Sequence, residues 1–245
     1  MDAQTRKIEL QRDYYAATAE SYESLHVSEN DEHGLALAWL SGLAAHYGAR
    51  SVLDVGCGTG RALRYLNTHQ PGLRVLGVEP SAELRAIGHA RGIAADALVD
   101  GDATGLAFPD NSFDIVCEFG VLHPVETPRR VVAEMLRVSR LGVFISDDNH
   151  FAAGSPIARR TKRTLSALGL WRAAYLLRTG GKGYRISEGD GLSYPYSVFD
   201  DLAFVQTQCD LVQMGNMTPA GTDLHAEGAH IALFGRKRGA ACLPR

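Results

Sequence analysis

The order of apolar and polar positions predicts short buried strands alternating with amphipathic helices. Residues 51–55 are apolar and β-branched around one acid, Asp54, and read as a strand. Three glycines at alternate positions follow (Gly56, Gly58, Gly60), and then a helical pattern begins at Arg61. A second buried-type strand is predicted over 73–78, with Pro80 and Ser81 opening a helix over 82–91. Further strands are predicted at 97–99, 113–118 and 140–146. The helix predicted at 128–138 places Val131, Val132, Met135, Leu136 and Val138 on one side. A helix through Gln208 precedes two last strands, 211–214 and 230–236. Upstream, residues 8–47 read as helical, broken by the polar turn 28–33 and ended near Gly48. Strands alternating with helices predict an α/β fold built on a doubly wound, mostly parallel sheet.

Composition narrows this little. At 245 residues, 45% hydrophobic and 22% charged, the chain is one α/β-sized domain with modest additions. A net charge of -3 argues against bulk nucleic-acid binding. The sequence shows neither a signal-type apolar run near its start nor a stretch of membrane-spanning length, so no stable membrane insertion is expected. Cys57, Cys117, Cys209 and Cys242 are scattered without metal-ligand spacing, which predicts reduced thiols, a cytoplasmic location and no metal.

The glycine turn decides the ligand chemistry. Glycine permits a tight turn and a close approach of ligand to backbone N–H groups. A dinucleotide fingerprint, G-x-G-x-x-G, needs its third glycine at position 61, where Arg61 stands, and it does not call for Asp54. An acid at a strand tip suits a ligand that carries an ammonium group. Residues 54–60, D-V-G-C-G-T-G, resemble motif I of the class I S-adenosylmethionine-dependent methyltransferases. Glu79 ends the second strand, where a carboxylate can accept from both hydroxyls of a ribose. Gly101-Asp102-Ala103 resembles the family's adenine turn. Residues 106–114, L-A-F-P-D-N-S-F-D, are similar to its L-P-F-x-D-x-S-F-D stretch. Phe119 to Val125 stands where the family often reads V-L-H-H-V, with Pro124 in place of the second histidine. Residues 14–22 resemble its Y-Y-x-x-x-A-x-x-Y leader, and an amphipathic helix with aromatic anchors is the alternative reading.

The resemblance implies a Rossmann-like seven-stranded sheet with the last strand antiparallel, an N-terminal helical cap over 1–48 and an insertion after the fifth strand. The core would span 49–150, the insertion 151–195 and the rest of the sheet 196–245. It implies S-adenosyl-L-methionine as cofactor and S-adenosyl-L-homocysteine as product. Asp54, Gly56 and Gly58 would serve at the turn, Glu79 and Pro80 at the ribose, and Asp102 and Ala103 at the adenine. Glu118, Phe119 and Tyr22 would border the methionine end. Methyl transfer would proceed by direct displacement to an O or N nucleophile of a small molecule, a biosynthetic sugar or a heterocyclic metabolite.

On the substrate side, His123 is a candidate base, and a structural histidine is the alternative. Asp148 and His150, in the polar run 147–150, are candidates for the pocket wall, against a simple polar loop. Tyr184 and Tyr194 flank glycines in a stretch that suits a closing loop. Between Asp148 and Glu188 the sequence has eight cationic residues and no acid. There Ile157, Thr161, Leu165 and Leu168 share one helical face. Three explanations stand: a cover that meets an anionic substrate, a surface helix on an anionic membrane, or a packed subdomain with a solvated basic face. A nicotinamide-dependent oxidoreductase and a catalytically silent S-adenosylmethionine-binding protein are the competing functions. Nucleic acid is disfavoured as substrate, because no N-P-P-Y-like tetrapeptide follows the fourth strand.

Overall fold

The structure is a computed structural model that describes residues 11, 14, 18, 31–187, 191–218 and 221–240. Helix α1 (Glu32–Tyr47) leads into β1 (Ser51–Val55), α2 (Arg61–His69), β2 (Arg74–Val78), α3 (Ala82–Ala90) and β3 (Leu98–Val99). Then come β4 (Phe113–Phe119), α4 (Pro128–Val138) and β5 (Ser139–Asp148). The insertion forms α5 (Pro156–Ala167), α6 (Trp171–Arg178) and a hairpin of β6 (Arg185–Ser187) with β7 (Gly191–Ser193). Helix α7 (Val198–Gln208) and strands β8 (Cys209–Asn216) and β9 (His230–Lys237) follow. The seven-stranded sheet has the order β3-β2-β1-β4-β5-β9-β8, with β9 antiparallel to both its neighbours.

Central strands that are apolar on both faces demand helices on both sides. Leu53, Val116, Val143 and Ile145 pack on one face with Val131, Val132, Met135 and Val138 of α4 and Val198 and Val205 of α7. Val52, Ile115, Cys117 and Phe144 pack on the other with Leu40 and Ala44 of α1 and Leu63 and Leu66 of α2. Each such aliphatic side chain, fully enclosed, contributes about 1.5–3 kcal/mol.

Capping chemistry fixes where the helices start. Asp31 accepts from Gly34 N (2.8 Å) ahead of α1, and Ser81 accepts from Leu84 N ahead of α3. Ser197 and Asp200 form a capping box at α7, and Pro128 opens α4. Gly48, at φ 67°, ends α1 in the left-handed conformation.

The predicted strands and helices recur within a few residues, with two corrections. First, β5 runs to Asp148 instead of stopping at Ser146, because β9 pairs with it as far as Asp148↔His230. Polar residues 147 and 148 are therefore strand residues on opposite faces. Second, the stretch read as a closing loop contains the β6–β7 hairpin. The apolar face read over 157–168 is exposed at both ends: Ile157 is 80% exposed and Leu168, just beyond α5, 65%. Among the described residues, no helix is long and apolar enough to cross a membrane.

Candidate active site

The carboxyl ends of β1, β2 and β3 carry the first group of site residues. Gly56 N and Cys57 N both donate to Val78 O (2.8 and 3.1 Å), which folds the turn back onto β2. Gly56 stands at φ 68°, and a Cβ there would lie 2.5 Å from Val121 Cγ2, so only glycine serves. Gly58 N donates to Glu79 Oε2 (3.0 Å) and Ser81 N to Glu79 Oε1 (2.8 Å). Glu79 thus ties the glycine turn to the start of α3. Its side chain is buried, and burial pushes its carboxyl up. Each oxygen takes one backbone donor, so the carboxylate keeps acceptor capacity for ligand hydroxyls. Pro80 beside it is exposed.

Asp54 is 2% exposed and sits 3.7 Å from the Cys117 thiol. Burial pushes its carboxyl to about 8, with the nearby Glu79 adding to the rise. Asp102, one strand over, is exposed, and its Oδ1 accepts from Thr104 N and Thr104 Oγ1 (both 2.8 Å). Ala103 packs against the core beneath it.

At the end of β4 the structure separates two roles. Glu118 is fully buried, accepting from Val121 N (2.8 Å) and Ser146 N (2.9 Å). Burial, and then the charge of Asp147, push its carboxyl well up. It ties the turn that follows β4 to the neighbouring strand β5. Phe119 is partly exposed and packs on Phe144, with the His33 ring edge-on at 6.2 Å. Tyr22 lies outside the described residues.

His123 Nδ1 pairs with Asp147 Oδ1 at 2.9 Å. Asp147 is fully buried and also accepts from Leu122 N (2.7 Å) and Asp148 N (2.6 Å). Burial alone would raise its carboxyl, yet the facing His123 holds it below its ordinary value. Sequence reasoning passed over Asp147 in favour of Asp148. Alternation along an extended β5 is the signal that distinguishes them. Asp148 has its side chain 55% exposed and stands 3.8 Å from His230 Nδ1.

Two further histidines were missed. His33 and His230 meet edge-on at 4.9 Å, and His230 Nε2 pairs with Ser146 Oγ (3.0 Å). A Cβ built on Gly120 would lie 3.6 Å from His33 Cε1 and 3.7 Å from His123 Cε1, so the two imidazoles flank that glycine. Burial, and then His230, push His33 down to about 4, so it is neutral at ordinary pH. Its Nδ1 has no hydrogen-bond partner among the described residues. Nothing local in the sequence announces either residue, because α1 and β9 reach this point from distant parts of the chain.

The substrate candidates divide. Tyr194 N donates to His123 O (2.8 Å), and the Tyr184 and Tyr194 rings lie 6.0 Å apart. Tyr194 also lines a cavity of about 460 Å³ with Trp171, Tyr175, Tyr196 and Lys182. His150 faces elsewhere: its Nδ1 pairs with Tyr196 O (2.8 Å) and its ring stacks on Trp171 at 5.2 Å. Burial pushes His150 down to about 4. It supports the cavity from behind Trp171. Among the described residues, no cluster of histidines, cysteines and acids could hold a metal ion.

This sheet, with its glycine turn and its acids on neighbouring strand tips, is the class I S-adenosylmethionine-dependent methyltransferase fold. Residues 53–146 match the methyltransferase domain family. The chain is 40% identical over 116 residues to a phosphatidylethanolamine N-methyltransferase of Cereibacter sphaeroides, covering 44% of this chain and 56% of that one. It is 40% identical over 92 residues to a demethylmenaquinone methyltransferase of Renibacterium salmoninarum, covering 37% of each. The chain therefore spans about half or less of the length of these relatives. Across nearly the whole chain the fold is similar to a Thermotoga maritima S-adenosylmethionine-dependent methyltransferase, described as a possible histamine N-methyltransferase. That match has a TM-score of 0.55 and 18% identity, and covers 94% of this chain and 99% of that one. The plantazolicin methyltransferase BamL, solved with S-adenosylhomocysteine, is similar at a TM-score of 0.53 and 16% identity, covering 95% and 96%.

Proposed function

We propose that the protein transfers a methyl group from S-adenosylmethionine to an oxygen or nitrogen of a small ring-containing acceptor, a sugar or a heterocyclic metabolite. The observation that carries this reading is the linkage of the glycine turn to Glu79, with partly exposed His123 paired to buried Asp147 two strands away across the sheet. The residues present fit the cofactor: Asp54 is a buried carboxyl without a paired cation among the described residues, and Glu79 has acceptor capacity to spare. In this reading Asp54 holds an ammonium, Glu79 the ribose hydroxyls and Asp102 the adenine amino group. When bound, S-adenosylmethionine supplies a methyl already activated on a sulfonium.

The protein's own work is positioning and proton handling. Asp147 fixes the His123 ring through Nδ1, which sets its orientation and stabilises its protonated form. His123 then takes the proton of a hydroxyl acceptor, and an amine acceptor needs only its orientation. The aromatic walls of the cavity beside Tyr194 suit a flat heterocycle or the apolar face of a sugar.

Calorimetric titration with S-adenosylhomocysteine, with NAD in parallel, tests the cofactor. Binding of the former alone is expected, and Glu79→Ala should weaken it by about 1.5–3 kcal/mol. Preference for NAD would replace this reading with an oxidoreductase. Labelled-methyl transfer to sugars and heterocycles tests the acceptor. His123→Ala should cut turnover while leaving S-adenosylhomocysteine affinity unchanged, and normal turnover in a folded variant would demote His123 to a structural role.

A further inference from the structure

We infer that the outward face of the α5–α6 pair is a docking surface for an anionic lipid bilayer. The inference stands apart from the methyl-transfer reading and does not depend on it. Seven large aliphatic side chains stand exposed among the described residues, and six lie within residues 157–186, on α5, α6, the turn joining them and β6. They are Ile157 (80%), Leu168 (65%), Leu170 (51%), Leu176 (39%), Leu177 (84%) and Ile186 (66%). No side chain of α5 is buried, although its sequence is amphipathic. Scattered exposed leucines are ordinary; a concentration of them in one short stretch of the chain is the mark of an interaction surface.

The charge of the same segment selects the partner. Residues 149–187 carry eight cations and no acid, in a protein whose net charge is -3. Some of these cations are used locally. Arg159 Nε donates to Gly154 O (2.8 Å), Lys162 Nζ to Ala153 O (2.7 Å), and Arg163 lies 3.9 Å from Asp223. Arg160, Arg172, Arg178 and Lys182 stand exposed among the leucines. Exposed aliphatic side chains interspersed with arginine and lysine match the boundary of an anionic membrane, where acyl chains receive the former and headgroup phosphates the latter. Nucleic acid would call for exposed aromatic rings, on which bases stack. The aromatic residues of α6 point the other way: Tyr175 is 8% exposed and Trp171 stacks on His150. Leu176 and Lys182 also line the 460 Å³ cavity, so the docking face borders its mouth.

Co-sedimentation of the full chain with vesicles tests the inference. Partition onto mixed phosphatidylglycerol–phosphatidylcholine vesicles should exceed that onto phosphatidylcholine alone by about tenfold or more, and should fall as salt is added. Ile157→Ser with Leu177→Ser, which leaves charge unchanged, should weaken it about tenfold without moving the thermal unfolding midpoint. Four outcomes would overturn the proposal. The first is equal partition on both vesicles, and the second is serine variants that bind like the parent. The third is pelleting without vesicles that the serine changes abolish, which marks a second copy as the occupant. The fourth is oligonucleotide retention as strong as vesicle binding and indifferent to the serine changes.

Discussion

Asp54 shows how a single buried carboxyl joins fold to function. It is 2% exposed, its side-chain neighbour is the Cys117 thiol rather than a cation, and its carboxyl is pushed to about 8. At neutral pH the ligand-free protein therefore keeps a proton there. An ammonium docked beside it would favour the carboxylate and expel that proton. Titration with S-adenosylhomocysteine near neutral pH, in two buffers of different ionisation heat, should register release of about one proton. Asp54→Asn should remove the release and weaken binding. Equal heats in both buffers would separate Asp54 from the ammonium. The placement of Asp54 and Glu79 near strand tips was legible in the sequence because each stands within two residues of glycine or proline punctuation. Asp147 was not, since its role depends on where β5 ends, and that is decided by β9 more than eighty positions away.

Among the elements, the segment between β8 and β9 illustrates what local sequence cannot announce. Asn149 Nδ2 donates to the carbonyls of Leu224, His225 and Gly228 at 3.2, 3.1 and 2.9 Å. Its Oδ1 accepts from Phe151 N (3.2 Å) and Ser197 Oγ (2.9 Å), the second of these being the cap of α7. One amide therefore holds a loop, a turn and a helix start together. Asn149→Asp would set an acceptor against three carbonyls and should cost about 2–4 kcal/mol. Denaturant unfolding would measure that loss, and hydrogen exchange should rise first at 221–229. Unchanged exchange there would show that the loop is held by other contacts. In the sequence, Asn149 reads as one of four polar residues in a row. The strands and helices of the core were legible because apolar periodicity and caps are local signals, as at 51–55 and 128–138. The α5 face stayed open for the opposite reason: amphipathic spacing states that a face is apolar but not what covers it.

For the whole molecule, buried acids and buried imidazoles set opposing trends of stability with pH. The Asp54 carboxyl is raised from 3.8 to about 8, so between those values the folded chain keeps a proton that the unfolded chain gives up. Its contribution is full below about pH 4 and is lost progressively as pH rises to 8. Glu79 and Glu118, also raised, act in the same direction. His33 and His150 are lowered from 6.5 to about 4, so the unfolded chain takes up protons there that the folded chain refuses. Their contribution is complete above pH 6.5 and is lost as pH falls toward 4. The two trends offset each other in acid, and above pH 6.5 the acids act alone. The unfolding free energy of the ligand-free protein should therefore fall by about 1–2 kcal/mol between pH 6.5 and 8. Asp54→Asn should flatten that decline, and saturating S-adenosylhomocysteine should do the same by pairing the carboxylate. Unfolding midpoints measured across the range decide it. A parent stability that is level or rising from pH 6.5 to 8 would mean that Asp54 is ionised in the folded protein before any ligand arrives, and the proton release expected on binding would be lost with it.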